Sequence, residues 1–336
     1  MTSPEDPPRQ HSLFTRALLY VPVAIIRFAT RVSRKEPIEG IKWEEIEIPS
    51  RDAGRTIKAF RYYRADRVRQ GPRDVLLNFH GSGWMLHLWG EDHLYAGQVA
   101  KELDIDVYDM DYRKGPEAPF PAAHDDVEDA ILHFANKDDV KSVSLSGFSA
   151  GANMAISGSA NVQEKLSQSR IKEMSSISVL YPPCDWSIAD HAPSKNCEGG
   201  GLLLPPFVIW LFNACAVVDP RSFLTKRFSI AKLASPAQDI PSKHIVIVTG
   251  DGDHLHDGGV RFVKALQDGG HPDATFISLK NAGHSFDKSP KTDLARKYTA
   301  SAYEAVIANI QRGLGAAGGQ SNETTLRRRQ GAGTTA

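Results

Sequence analysis

The sequence predicts an α/β chain: a mostly parallel sheet of eight strands with helices on both faces. Three observations carry this. Strand-like apolar runs alternate with helical periodicity over most of the 336 residues. Inner runs such as 75–79 and 245–248 are apolar almost throughout, as strands buried on both faces are. A composition of 41% apolar and 24% charged residues gives material for a large single core.

Taken in order, the chain opens with Pro4-Glu5-Asp6-Pro7-Pro8, which lacks the basic start of a signal peptide and delays any helix to about residue 11. An apolar run follows at 17–26, bracketed by Arg16 and Arg27 and interrupted by Pro22. It falls well short of the roughly 20 residues that cross a bilayer. It suits a helix lying on a membrane surface or over a pocket, so 1–40 is set apart as an N-terminal cap segment. Residues 43–48 and 56–63 alternate like an antiparallel pair, and further strands are expected at 75–79, 105–110, 140–145, 177–180, 245–248 and 275–279. Helices fit at 93–103, 122–135, 150–164, 259–267 and 292–311. The stretch 185–230, with Gly199-Gly200-Gly201, Pro205-Pro206 and the apolar 207–215, breaks this rhythm and reads as a cap insertion in a main domain spanning 41–312. Residues 313–336 lack apolar periodicity and read as a disordered tail.

Lys plus Arg and Asp plus Glu balance at 40 each, which argues against a nucleic-acid partner. Cys184, Cys197 and Cys215 are odd in number and follow no metal-ligand spacing, so buried structural thiols in a reducing, cytoplasmic compartment are expected. Membrane association through the first segment is the variant of that expectation.

The chemistry-bearing motif is Gly147-Phe148-Ser149-Ala150-Gly151, entered from a strand and opening a helix. On such a turn the serine is forced into strained geometry, and the glycines remove Cβ atoms that would collide with neighbouring elements. Upstream, His80-Gly81-Ser82-Gly83-Trp84 follows a strand and offers inward-turned N–H groups. Gly81, Ser82 and Ala150 are assigned as oxyanion donors. Downstream, His284 follows the last strand and is the candidate base among twelve histidines. The acid lies in Gly250-Asp251-Gly252-Asp253-His254-Leu255-His256-Asp257. Asp253 is preferred, Asp257 is read as the cap of the next helix and Asp251 as a turn residue, although spacing does not separate Asp253 from Asp251.

Together with Asp111-Tyr112-Arg113-Lys114-Gly115-Pro116-Glu117, these motifs resemble the hormone-sensitive-lipase-like branch of the α/β-hydrolases over about 75–286. The resemblance implies Asp253 as the acid, since the family's Asp-Pro-Leu corresponds to Asp253-His254-Leu255. It also implies a cap formed by the N-terminal segment and the insertion, and structural roles for Asp111, Arg113 and Glu117. Three positions depart from it. Ser82 replaces the middle glycine, with a hydroxyl free to touch substrate. Phe148 replaces the usual Asp, suggesting a more apolar surround, and His254 replaces Pro.

The expected function is a serine carboxylic-ester hydrolase acting through an acyl-serine on short-chain or compact aromatic esters, with secondary metabolism or detoxification as its setting. No metal and no organic cofactor is called for. Acyl transfer, amide deacetylation and non-catalytic ligand binding are the alternatives on the same fold.

Overall fold

A computed structural model describes residues 13–32, 36, 38–68, 71–186 and 197–318. The strands are β1 (Ile41–Pro49), β2 (Thr56–Arg64), β3 (Arg73–Phe79), β4 (Asp106–Met110), β5 (Val140–Phe148), β6 (Ile177–Leu180), β7 (Ile245–Gly250) and β8 (Ala274–Leu279). They form one sheet in the order β1-β2-β4-β3-β5-β6-β7-β8. The hairpin β1–β2 and the β2–β4 pair are antiparallel. All remaining pairs are parallel, so their carboxyl ends share one edge. β6 and β7 are buried along their whole length and β5 everywhere but at Lys141, as their apolar runs require.

The helices are α1 (Leu13–Ala29), α2 (His93–Leu103), α3 (Ala122–Ala135), α4 (Ala150–Asn161), α5 (Gln163–Ser167), α6 (Pro206–Ala216), α7 (Pro236–Asp239), α8 (His256–Asp268) and α9 (Asp293–Gly318). One face of the sheet packs against α3, α4 and α8 through Val127, Ile131, Met154 and Phe262. The other packs against α2 and α9 through Tyr95, Val99, Val306 and Ile310. A third cluster joins α1 to α6, with Leu19 and Val23 on Leu211, Ala214 and Cys215. The two stretches set apart in the sequence thus touch one another.

Several boundaries differ from expectation. The helix read at 150–164 ends at Asn161 and restarts at Gln163, because Val162 turns its side chain into the core with φ −93° and ψ 3°. The helix read from 259 begins at His256. Its glycines are tolerated because Gly259 lies against the Phe276 ring, where a Cβ would stand at 3.2 Å. The tail read from 313 is corrected: α9 continues to Gly318, and Gly313 packs against Ser175 and Ser176 with no room for a side chain. The remainder of the expected tail, 319–336, lies outside the described residues, as do 1–12 and 187–196.

The close approach that positions the turn after β5 is at Gly151. A Cβ there would stand 2.5 Å from the His80 carbonyl oxygen and nearer still to that of Phe79. Both neighbours are backbone and cannot rotate away. Gly151→Val is therefore expected to destabilise the protein by at least about 3 kcal/mol in denaturant unfolding. A loss under about 1 kcal/mol would mean that β3 and α4 are not held at this distance.

Candidate active site

Three strand ends on the shared carboxyl edge bring the site together. The first is the turn from β5 into α4. Ser149 sits there at φ 50° and ψ −120°, a region costly for a residue with a Cβ. Its N–H donates to the Leu180 carbonyl at 3.0 Å, fixing the turn against β6. The second is the loop after β8, which carries His284. The third is the loop after β7, which carries Asp253.

The Ser149 Oγ–H donates to His284 Nε2 at 3.0 Å, and His284 Nδ1–H donates to Asp253 Oδ2 at 2.8 Å. Asp253 is buried, and its Oδ1 accepts from the Leu255 N–H at 3.0 Å and faces His254 Nδ1 at 3.2 Å. Burial pushes this carboxyl up, but the His284 and His254 imidazoles more than offset it and hold it well below the usual carboxylate range. The structure also separates the three acids. Asp251 Oδ1 accepts from the Asn281 N–H at 2.5 Å, and Asp257 faces His256 at 3.2 Å within the first turn of α8. The helix cap position read for Asp257 is instead held by Leu255.

Gly81, Ser82 and Gly83 line the same cavity as Ser149. Neither their N–H groups nor that of Ala150 donates a backbone hydrogen bond among the described residues. The sequence reading left out Gly83; its φ of 54° and its place in the same glycine-rich run are the signals that find it. The Ser82 hydroxyl, expected to be free for substrate, is committed to the loop itself. It donates to the Tyr112 hydroxyl at 2.7 Å and accepts from the Trp84 N–H at 2.9 Å. Tyr112 in turn donates to the His80 carbonyl at 2.6 Å. Arg113 pairs with Asp126, and Glu117 takes both ends of the Arg27 guanidinium, so this segment buttresses the loop.

Phe148, expected to make the surround of Ser149 more apolar, lines neither of the two cavities that reach that serine. Its ring is fully buried with Tyr95 and Tyr181, and the Lys288 ammonium lies 3.3 Å from its centroid. Lys288 also donates to Asp92 at 2.5 Å and pairs with Asp287 at 3.0 Å. Asp287 accepts from Tyr181 and Tyr303 at 2.6 and 2.8 Å, and the Tyr181 ring lies 4.8 Å from that of His284. Cys184 and Cys215 are buried thiols as expected, whereas Cys197 is half-buried and lines the cavity.

That cavity has a volume of about 700 Å³ and includes Leu86, Leu202, Phe212, Glu91 and Lys288 in its walls. A second cleft of about 50 Å³ also reaches Ser149 and His284 and is walled by Trp84, Trp186, Ile209 and Leu255. Leu204 and Phe212 from the insertion line both. Asp253, His254 and His284 have ligand atoms close enough for a metal ion. The Asp253 oxygens are already taken by the two imidazoles and a backbone N–H, which fits a hydrogen-bond relay better than a coordination shell.

A serine, aspartate and histidine on the loops after β5, β7 and β8 of a mostly parallel sheet define an α/β-hydrolase architecture. The chain belongs to the α/β-hydrolase-fold family: residues 76–288 match the family model described as alpha/beta hydrolase fold. Its relatives agree with the hormone-sensitive-lipase-like branch that the motifs resemble. Ethyl acetate hydrolase of Pseudomonas putida is 28% identical over 204 residues, 58% of this chain and 61% of the relative. Arylacetamide deacetylase of Oryctolagus cuniculus is 33% identical over 133 residues, 36% of this chain and 32% of the relative. The chain thus spans less than two thirds of the length of either relative. Among solved structures, carboxyl esterase 2 of Tuber melanosporum shares the fold with a TM-score of 0.70 at 18% identity, covering 84% of this chain and 89% of that one.

Glu91 has no hydrogen bond or ion pair for its carboxylate among the described residues, although it lines the cavity. Burial, with Asp92 and Asp287 nearby, raises it to about 7 against the opposing pull of Lys288. A raised carboxyl contributes stability that is complete below its unfolded pKa near 4.5 and lost as pH rises through about 7. Glu91→Gln should therefore match the parent at about pH 4 and exceed it by about 1–3 kcal/mol at about pH 8. Thermal unfolding at the two pH values checks this, and parallel curves would remove Glu91 from the account.

Proposed function

We propose that this protein is a serine carboxylic-ester hydrolase with Ser149 as nucleophile, His284 as base and Asp253 as the residue that fixes the imidazole. One observation carries the reading: the unbroken chain from Ser149 Oγ to His284 Nε2 at 3.0 Å and from His284 Nδ1 to Asp253 Oδ2 at 2.8 Å. Nε2 takes the hydroxyl proton as Oγ attacks the ester carbonyl. The Gly81, Ser82 and Ala150 N–H groups, joined by that of Gly83, receive the negative charge on the carbonyl oxygen. The imidazolium then returns its proton to the leaving alcohol, and water attacks the acyl-serine by the same route in reverse. Asp253 remains a carboxylate throughout, in keeping with the two imidazoles that favour its charge.

The cavity volumes support a substrate with one small and one large half. A cleft of about 50 Å³ walled by two tryptophans accommodates an acetyl-sized group, and a chamber of about 700 Å³ takes the remainder. α1 and α6 act together as the cap that sets these limits. A long acyl chain would have to leave methylenes in water or displace Phe212 and Leu204. The Pseudomonas putida relative, an ethyl acetate hydrolase, accords with a small acyl group.

Labelling by a fluorophosphonate probe tests the nucleophile. Ser149→Ala should fold normally, lose labelling and retain only the residual turnover that an oxyanion hole gives. Undiminished ester turnover in that variant would end the assignment. Asp253→Asn should lower kcat by roughly 10⁴-fold through the wrong imidazole tautomer, while Asp251→Asn and Asp257→Asn cost far less. In a series of p-nitrophenyl esters, kcat/KM should peak at acetate to butyrate and fall steadily toward palmitate. A palmitate optimum would mean that the small cleft is not a substrate subsite.

A further inference from the structure

The outer face of the cap carries an unexplained apolar surface. α1 has no acidic residue, and its cations are Arg16 and Arg27; α6 has no charged residue at all. Leu19 and Val23 use one side of α1 to pack on α6. The opposite side of an ordinary surface helix would be polar. Here Val21, Ile25 and Phe28 are 66%, 65% and 69% exposed, and on α6 Phe207 and Trp210 are 63% and 52% exposed. Arg27 turns inward instead, to Glu117 and the Met85 and Gly115 carbonyls, and so pins α1 to the body with its apolar side outward. Large apolar side chains exposed along one helix face in this way mark an interaction site.

From this arrangement we infer that α1 and α6 dock the protein on a lipid bilayer bearing anionic headgroups, with α1 lying in the plane of the interface. Three features select this occupant. The charged flank is net positive: residues 13–36 carry Arg16, Arg27, Arg31, Arg34 and Lys35 against Glu36, and the Arg31 guanidinium lies over the Phe28 ring. A second copy meeting this face about a two-fold axis would bring that flank against itself, whereas anionic headgroups complement it. Tyr20 and Trp210, both exposed, are amphipathic aromatics of the kind that settle at headgroup level. Finally, α1 is 17 residues long with a proline inside it, and no helix among the described residues is long and apolar enough to cross a membrane, so it lies on the surface and does not span. The chamber beside Ser149 is walled in part by Thr30 and Arg31, next to this face. An ester dissolved in the bilayer would enter there without crossing water.

Docking is separate from the ester chemistry, and the experiment keeps them separate. The full chain is sedimented with vesicles of phosphatidylcholine alone or mixed with phosphatidylserine, at low and high salt. Binding to the mixed vesicles is expected, weaker at high salt, and at least about tenfold weaker in the double variant Val21→Glu, Ile25→Glu. Phe207→Ser should weaken it less. None of these residues lines the chamber, so each variant should hydrolyse p-nitrophenyl acetate like the parent in the absence of lipid, which also reports correct folding. Ser149→Ala should bind vesicles like the parent whether or not it is the nucleophile. A parent that stays in the supernatant with both vesicles overturns the inference, as does binding that the Val21 and Ile25 changes leave intact. A lipid-free dimer that the same changes split into monomers would overturn it in favour of a second copy.

Discussion

Gly147 and Gly151 let the end of β5, the start of α4 and the end of β3 meet without a side chain between them. A Cβ on Gly147 would stand 2.6 Å from the backbone of Gly151, and one on Gly151 would run into the carbonyls of Phe79 and His80. This contact holds Ser149 in its strained conformation, because the surrounding backbone leaves it no other path. It also sets the loop after β3 beside the serine. The candidate oxyanion donors and Ser149 are therefore placed by one packing constraint, and Tyr112, bonded to both His80 and Ser82, stiffens the loop from behind.

The histidine is held by a different kind of interaction. Its Nδ1 is fixed by Asp253, while its ring packs on Tyr181, whose hydroxyl donates to buried Asp287. Asp287 and Asp92 share Lys288, and Asp92 also accepts from Asn78 on β3 at 2.8 Å. The loop after β8 is thereby tied to the sheet beneath the nucleophile. Burial opposes the Lys288 charge, but Asp287, Asp92 and Glu91 more than offset it and hold it raised. A hydrogen-bonded network of this sort is costly to break at any one member, which suits it to fixing geometry more than to adding stability.

Much of this was legible in the sequence because its physics is local. The eight strands follow from apolar runs bounded by turn residues, and the Gly147-x-Ser149-x-Gly151 frame dictates a strand-to-helix turn from its own sterics. What the sequence did not yield depends on residues distant along the chain. Whether the Ser82 hydroxyl faces substrate is decided by Tyr112, thirty residues on. The meaning of Phe148 is decided by Lys288, and the end of α9 by a groove at Ser175. His254 carried a visible signal in its replacement of a proline, but its second contact on Asp253 required the folded loop. Glu91 carried none, since nothing near it in sequence announces a carboxyl without a partner in the cavity wall.

The site and its cover also differ in how tightly the fold determines them. Ser149, His284 and Asp253 stand on loops held by the sheet's carboxyl edge, where a shift of one residue in register would dismantle the arrangement. The cover is two helices meeting through a small apolar cluster, with Pro205, Pro206 and the Gly199 to Gly201 turn giving its strand-side connection little regular structure. Gly201 itself packs against the Gly283 and His284 carbonyls, and Leu202 exchanges backbone hydrogen bonds with His284 at 2.7 and 3.1 Å. The insertion is therefore fastened directly to the histidine loop at one end and to α1 at the other. Leu202, Leu204 and Phe212, which wall the cavity beside Ser149, belong to this fastened segment. The walls of the cavity thus depend on the cover, while the geometry between Ser149, His284 and Asp253 depends on the sheet.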